Sequence, residues 1–107
     1  MNFEALDEFL KDVKRLNKKY PSLTADVRLL KENILENPFL GESLGRSCYK
    51  IRMAITSKGR GKSGGARVIT CVKIVDDIVY LLTIFDKSEK ENISDEELTE
   101  LLKLTEA

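Results

Sequence analysis

In the first third of the chain apolar residues recur at helical spacing. From Phe3 onward, Leu6, Phe9, Leu10, Val13 and Leu16 are separated by charged positions, the pattern of an amphipathic helix. Proline disfavours helical backbone in the residue before it, so Tyr20-Pro21-Ser22 ends that helix. Ser22 is placed to cap a second helix that carries Leu23, Val27, Leu30 and Ile34 and stops before Pro38. So short a connection predicts an antiparallel helical hairpin. The stretch NPFLGESLGRS, residues 37–47, reads as a loop on its Gly, Ser, Asn and Pro content.

Beyond it the period changes to two. Tyr49, Ile51, Met53 and Ile55 fall on one face of a strand, with Lys50 and Arg52 on the other. ARVITCVKIV and IVYLLTIF read as two further strands joined by a two-residue turn at Asp76 and Asp77. Ser94 with Glu97 forms a capping box, and Ile93 can staple onto Leu98. A closing helix then presents Leu98, Leu101 and Leu102. The predicted fold class is α+β: a helical hairpin packed on an antiparallel three-strand meander, with a C-terminal helix. A length of 107 residues suits one domain over 1–107.

Composition narrows the chemistry. The 42% hydrophobic and 34% charged content is ordinary for a globular protein. No apolar run nears the roughly 18 residues of a membrane span, and acids interrupt the N-terminal stretch where a signal peptide needs an apolar core. The expected location is the cytoplasm. With no His in the sequence, the commonest general base and transition-metal ligand are missing, so catalysis would fall to Lys, Arg, Tyr or carboxylates. Cys48 and Cys71 lie on neighbouring strands and read as small core residues rather than a zinc or disulfide framework. No metal or other cofactor is expected.

Formal net charge is zero, but the signs are segregated. Residues 1–42 carry seven cations and eight acids, residues 43–75 eight cations and no acid, and residues 76–107 three cations against ten acids. The middle block suits a polyanion, because Lys and Arg that neutralise phosphates release condensed counterions. At its centre stands TSKGRGKSGGAR, residues 56–67, with four glycines and four cations. It is not a nucleotide-binding P-loop. The motif's first glycine would fall on Thr56, and the segment that follows is β-branched where the motif needs a helix.

From CYKIRMAITSKGRGKSGGARVI through VYLLTIFDKSEKENIS, the chain resembles the RelE/ParE superfamily of bacterial toxin–antitoxin toxins, in particular its RelE and HigB branches. The resemblance spans nearly the whole length. It implies a curved antiparallel sheet, often with an extra N-terminal strand for which MNFEA is the available segment. It also implies ribosome-dependent cleavage of messenger RNA, with a cognate antitoxin, the ribosome and mRNA as partners.

The positions that match the family's basic active site are Lys50, Arg52, Arg67 and Lys87. Arg52 and Arg67 would clamp phosphate. Lys50 or Lys87 would transfer protons, since a guanidinium is a poor general base. Arg52 stands where some relatives carry Lys, and no tail tyrosine accompanies Lys87. Lys58, Arg60, Lys62 and Lys73 are expected to hold RNA backbone, whereas Asp86, Glu89 and Glu91 read as a solvated face. Two other readings stay open: a ParE-like inhibitor of gyrase, and a basic RNA-binding module without activity.

Overall fold

The computed structural model describes residues 1–59 and 61–105. Strand β1 (Asn2–Ala5) precedes helices α1 (Asp7–Lys19) and α2 (Leu23–Glu36). Strands β2 (Glu42–Gly45), β3 (Cys48–Met53), β4 (Ala66–Lys73) and β5 (Ile78–Asp86) follow, and helix α3 (Asp95–Lys103) closes the chain. The sheet order is β1-β5-β4-β3-β2. The expected meander is its centre, but the sheet is mixed rather than antiparallel, because β1 pairs parallel with β5.

The helices form where the pattern places them, with corrections at their starts. In α2 the buried apolar residues are Leu23, Val27, Leu30 and Ile34, as the spacing requires. Helix α1 begins at Asp7 rather than near Phe3. Phe3 and Ala5 instead turn inward from β1 and pack on the core, so pairing with the free edge of β5 overrides a helical period. Leu10, counted as core-facing, is exposed. Ser22 does not cap α2: its backbone is helical and its side chain bonds no helix amide. The hydroxyl is spent elsewhere, donating to Asp26 Oδ2 (2.8 Å) and accepting from Ser57 N (2.9 Å).

Two loop assignments also change. Residues 42–45 are a strand, paired with β3 through Glu42–Lys50 and Ser43–Tyr49. Its hairpin turns at Arg46 and Ser47, both at positive φ, which is the backbone a tight type I′ turn demands. The β4–β5 connection is a four-residue turn, residues 74–77, rather than two residues, and leaves Ile74 and Val75 exposed.

The sheet is covered on both faces. Phe9 and Leu16 of α1 and the four α2 residues meet Ile51, Val68, Val79, Leu81 and Ile84 on one side. On the other, Leu98 of α3 meets Cys48, Ile69, Cys71, Leu82 and Phe85. The capping box forms as expected, with Ser94 Oγ accepting from Glu97 N at 3.1 Å. Strand β4 is buried along almost all its length, and this places its first residues, where the cationic loop ends, against a rigid base.

Gly65 fixes that junction. A Cβ there would be driven into the Met53 carbonyl, while the Gly65 carbonyl accepts from Lys87 N (3.1 Å). Gly65→Ala is expected to cost more than about 1 kcal/mol. In a thermal melt the midpoint should fall by at least about 4 °C; an unchanged midpoint would show that the strands can part without penalty.

Candidate functional site

Pairing between β3 and β4 determines which side chains stand together. Val72 N donates to Ser47 O (2.9 Å), so that pair is the hydrogen-bonded kind. Alternation along an antiparallel ladder then makes Cys48–Cys71, Lys50–Ile69 and Arg52–Arg67 non-hydrogen-bonded pairs, the type in which side chains lie closest. Lys50, Arg52 and Arg67 consequently share one face of the sheet. Lys87 follows the end of β5 by one residue, and its amide is held by Gly65 two positions from Arg67.

Arg52 and Arg67 are the unusual pair. Like charges directly opposite each other destabilise a sheet, yet neither guanidinium has an acid partner among the described residues. Arg67 is buried, with 4% of its surface exposed. It donates to the carbonyls of Lys62 (3.0 Å), Ala66 (3.0 Å) and Ser63 (3.3 Å). Burial first, and the Arg52 charge second, push the Arg67 guanidinium below the ordinary arginine value. The loop therefore wraps a cation that has no counter-ion among the described residues.

The other cations divide into committed and uncommitted. Lys50 Nζ lies 3.4 Å from Glu42 and donates to Asn92 (3.3 Å). Strand β3 itself carries only cations, and Glu42 from β2 supplies the opposite sign. Lys58 turns its ammonium inward to Asp86 (2.7 Å), where it also lies over the Tyr20 ring. Lys62 is exposed at the loop. Lys73 sits six residues beyond Arg67 on β4, roughly 20 Å away at strand rise, and is not part of this cluster. Arg60 lies outside the described residues.

Sequence reasoning missed the acids beneath the cluster. Asp86, read as solvated, has none of its surface exposed. It accepts from Tyr20 Oη (2.6 Å), Lys58 Nζ (2.7 Å) and Ser88 N (3.0 Å). Burial pushes its carboxyl up, but those hydrogen bonds outweigh it and hold the group well below the usual carboxylate range. Asp26 plays a parallel part, accepting from Thr56 N (3.0 Å) and Thr56 Oγ1 (2.6 Å). Two buried carboxylates thus tether the start of the cationic loop and the residue preceding Lys87. Ser88 and Ser22 are local partners, but the tethers to Tyr20, Thr56 and Lys58 reach across 28 to 66 residues, which no local pattern announces.

Two clefts flank the sheet and differ in charge. One, of about 570 Å³, runs between α2 and β3, with Leu29, Leu30, Ile51 and Met53 lining it and Lys50, Arg52 and Lys62 among its walls beside Asp26 and Glu42. The other, of about 590 Å³, is lined by Glu8, Asp12, Glu89, Glu96, Glu97 and Glu100 against Arg15 and Lys90. The first is the better suited to a polyanion, and its apolar floor can take the flat faces of unstacked bases.

Comparison with known proteins agrees with this architecture. A family model described as the RelE toxin of the RelE/RelB toxin–antitoxin system matches residues 11–107. The fold is similar to that of a mutant E. coli toxin RelE in the free state, in which two arginines are replaced by alanine. That similarity has a TM-score of 0.59 at 18% identity and covers 96% of this chain and 95% of the other.

Proposed function

Because the chain belongs to the RelE family, the toxin component of a type II toxin–antitoxin system, we propose that it is a ribosome-dependent endoribonuclease that cuts messenger RNA without a metal. Membership of the family implies a cognate antitoxin as partner. The cytoplasm, where translating ribosomes are, is the place this activity would operate.

The facing Arg52–Arg67 pair carries the reading. Two arginines that face each other across the ladder without a counter-ion among the described residues form a receptor for a phosphodiester, whose charge relieves their repulsion. The three carbonyls on Arg67 take three of the five N–H donors of a guanidinium, and an ionised phosphate acceptor makes a stronger bond than a carbonyl. In the reaction the ribose 2′ oxygen attacks phosphorus, the 2′ proton leaves to a base, and the bond from phosphorus to the 5′ oxygen breaks as that oxygen gains a proton. The products are a 2′,3′-cyclic phosphate and a 5′ hydroxyl. Arg52 and Arg67 stabilise the extra negative charge of the phosphorane-like state, where preorganised donors contribute most.

Lys50 and Lys87 are the proton-transfer candidates. Lys50 is restrained by Glu42 and Asn92, whereas Lys87 has no ion-pair partner among the described residues. Lys87 is therefore assigned the general acid or base and Lys50 a supporting phosphate contact. Lys62, exposed on the loop, holds RNA backbone.

The test combines purified protein, translating ribosomes and a defined message, with cut sites read by primer extension. Wild-type protein should cut ribosome-bound message and leave free RNA intact. Lys87→Ala should slow cutting by about 10²-fold or more, the usual contribution of a positioned acid or base. Intact message after incubation with wild-type protein would refute the nuclease reading.

A further inference from the structure

The chain's two cysteines, Cys48 and Cys71, are register partners across β3 and β4. Both are free thiols, and neither exposes any surface. Theirs is a non-hydrogen-bonded pair, by the same ladder argument that faces Arg52 with Arg67. Such a pair brings Cα atoms to about 4.5 Å, inside the roughly 4.4–6.8 Å span that a disulfide bridges. Chance placement of two small core residues does not demand this position. Ile69, Leu82 and Leu98 of the same cluster show that larger aliphatics suit this layer.

We propose that Cys48 and Cys71 form an intramolecular disulfide by exchange with a small-molecule disulfide of the glutathione class. The step balances in two exchanges. The Cys71 sulfur attacks the oxidant and releases one reduced thiol, leaving a mixed disulfide. The Cys48 sulfur then attacks Cys71 and releases the second thiol. Two protein thiols are oxidised, one external disulfide is reduced, and the two thiol protons leave with the released thiols.

The order of attack follows from the surroundings. The Cys48 thiol donates to the Arg46 carbonyl (3.5 Å), and its interaction with Cys71, together with burial, pushes it up. The Cys71 thiol is pushed down to about 7, chiefly by its interaction with Cys48, with burial opposing and Lys73 assisting. Cys71 is thus the attacking sulfur and Cys48 the resolving one.

Access is gated by α3. Leu98 shares the cysteines' cluster, and Leu101 and Leu102 pack against it. Arg46, in the turn beside Cys48, ties that helix down through Thr99 Oγ1 (2.8 Å) and Asp95 (3.9 Å). Exchange therefore waits on local opening of α3, a sub-global event cheaper than unfolding. This inference does not rest on the nuclease reading.

The full chain is incubated, folded, with oxidised glutathione, quenched by alkylation and analysed by intact mass and peptide mapping. Most molecules should become lighter by two hydrogens, yield a linked Cys48–Cys71 peptide and revert under a dithiol reductant. Arg46→Ala should form the bond severalfold faster. Either of two results would overturn the proposal: bonding confined to chains unfolded in urea, or oxidation that stops at glutathione adducts or at links between copies. An unchanged rate in Arg46→Ala would overturn the gate, and the wild-type mapping does not depend on that variant's folding.

Discussion

Arg67→Ala should lower ribosome-dependent cleavage by about 10²–10³-fold, the typical loss when one donor to a developing negative charge is removed. Arg67→Lys should recover little of it. The guanidinium reaches carbonyls of three residues at once, and a compact ammonium cannot reproduce that planar fork. The variant must be separated from a folding defect, since the same bonds hold residues 62–66 against the sheet. Thermal midpoint and cleavage rate are therefore read together: each hydrogen bond to the charged guanidinium contributes about 1.5–3 kcal/mol to stability, so the midpoint should fall, and cleavage is compared at a temperature where the variant is still folded. A ribosome-binding measurement completes the test. Binding close to wild type with cleavage lost places Arg67 on the transition state, whereas equal losses in both would make it an anchor for the loop alone.

Arg67 also shows what the sequence could and could not convey. Alternation in CYKIRM and the strand that follows the glycines were enough to expect Lys50, Arg52 and Arg67 on one face, and the register bears this out. That Arg67 would be buried beneath its own loop was not legible, because two of the carbonyls it binds, those of Lys62 and Ser63, belong to a segment without strand or helix periodicity. Strand β2 was hidden for a related reason. Its four residues, ESLG, have poor strand propensity, and pairing with β3 creates the strand. Missing β2 meant missing Glu42, and with it the partner that restrains Lys50. In the helices, by contrast, the period of Leu23, Val27, Leu30 and Ile34 is itself the packing instruction, since one face must meet the sheet whatever else surrounds it.

Charge counting misled in a further way. The middle block carries eight cations without an acid, which suggests a uniformly attractive surface. In the fold, Arg46, Lys50 and Lys58 find acids from outside the block, at Asp95, Glu42 and Asp86. What remains for an anion is a smaller group in which Arg52 and Arg67 are central. Lys73, although in the block, stands at the far end of β4. Proximity along the chain was a poor guide to proximity in space, and strand register the better one.

Asp86→Ala is expected to be the most destabilising single change at the site. The substitution strands the Lys58 ammonium, whose side chain is only 13% exposed, and leaves the Tyr20 hydroxyl without its acceptor. Breaking one side of a buried pair costs about 3–5 kcal/mol, or roughly 12 °C or more in midpoint for a chain of this size. Removing both charges with Asp86→Leu and Lys58→Met should restore much of the loss, because the ammonium is then no longer buried unpaired. The pH dependence has a definite sign. The folded carboxyl titrates below the usual range, whereas in the unfolded chain it titrates near the reference value of about 3.9. Its stabilisation is therefore complete above about pH 5 and is lost progressively as pH falls through and below about 4. Urea midpoints taken from about pH 7 to about pH 3 should drop more steeply for wild type than for Asp86→Asn, which has no proton to gain there. Parallel curves for the two proteins would mean that Asp86 is not the ionised anchor of Lys58 and the loop, and the rigid support for Lys87 would have to be sought elsewhere.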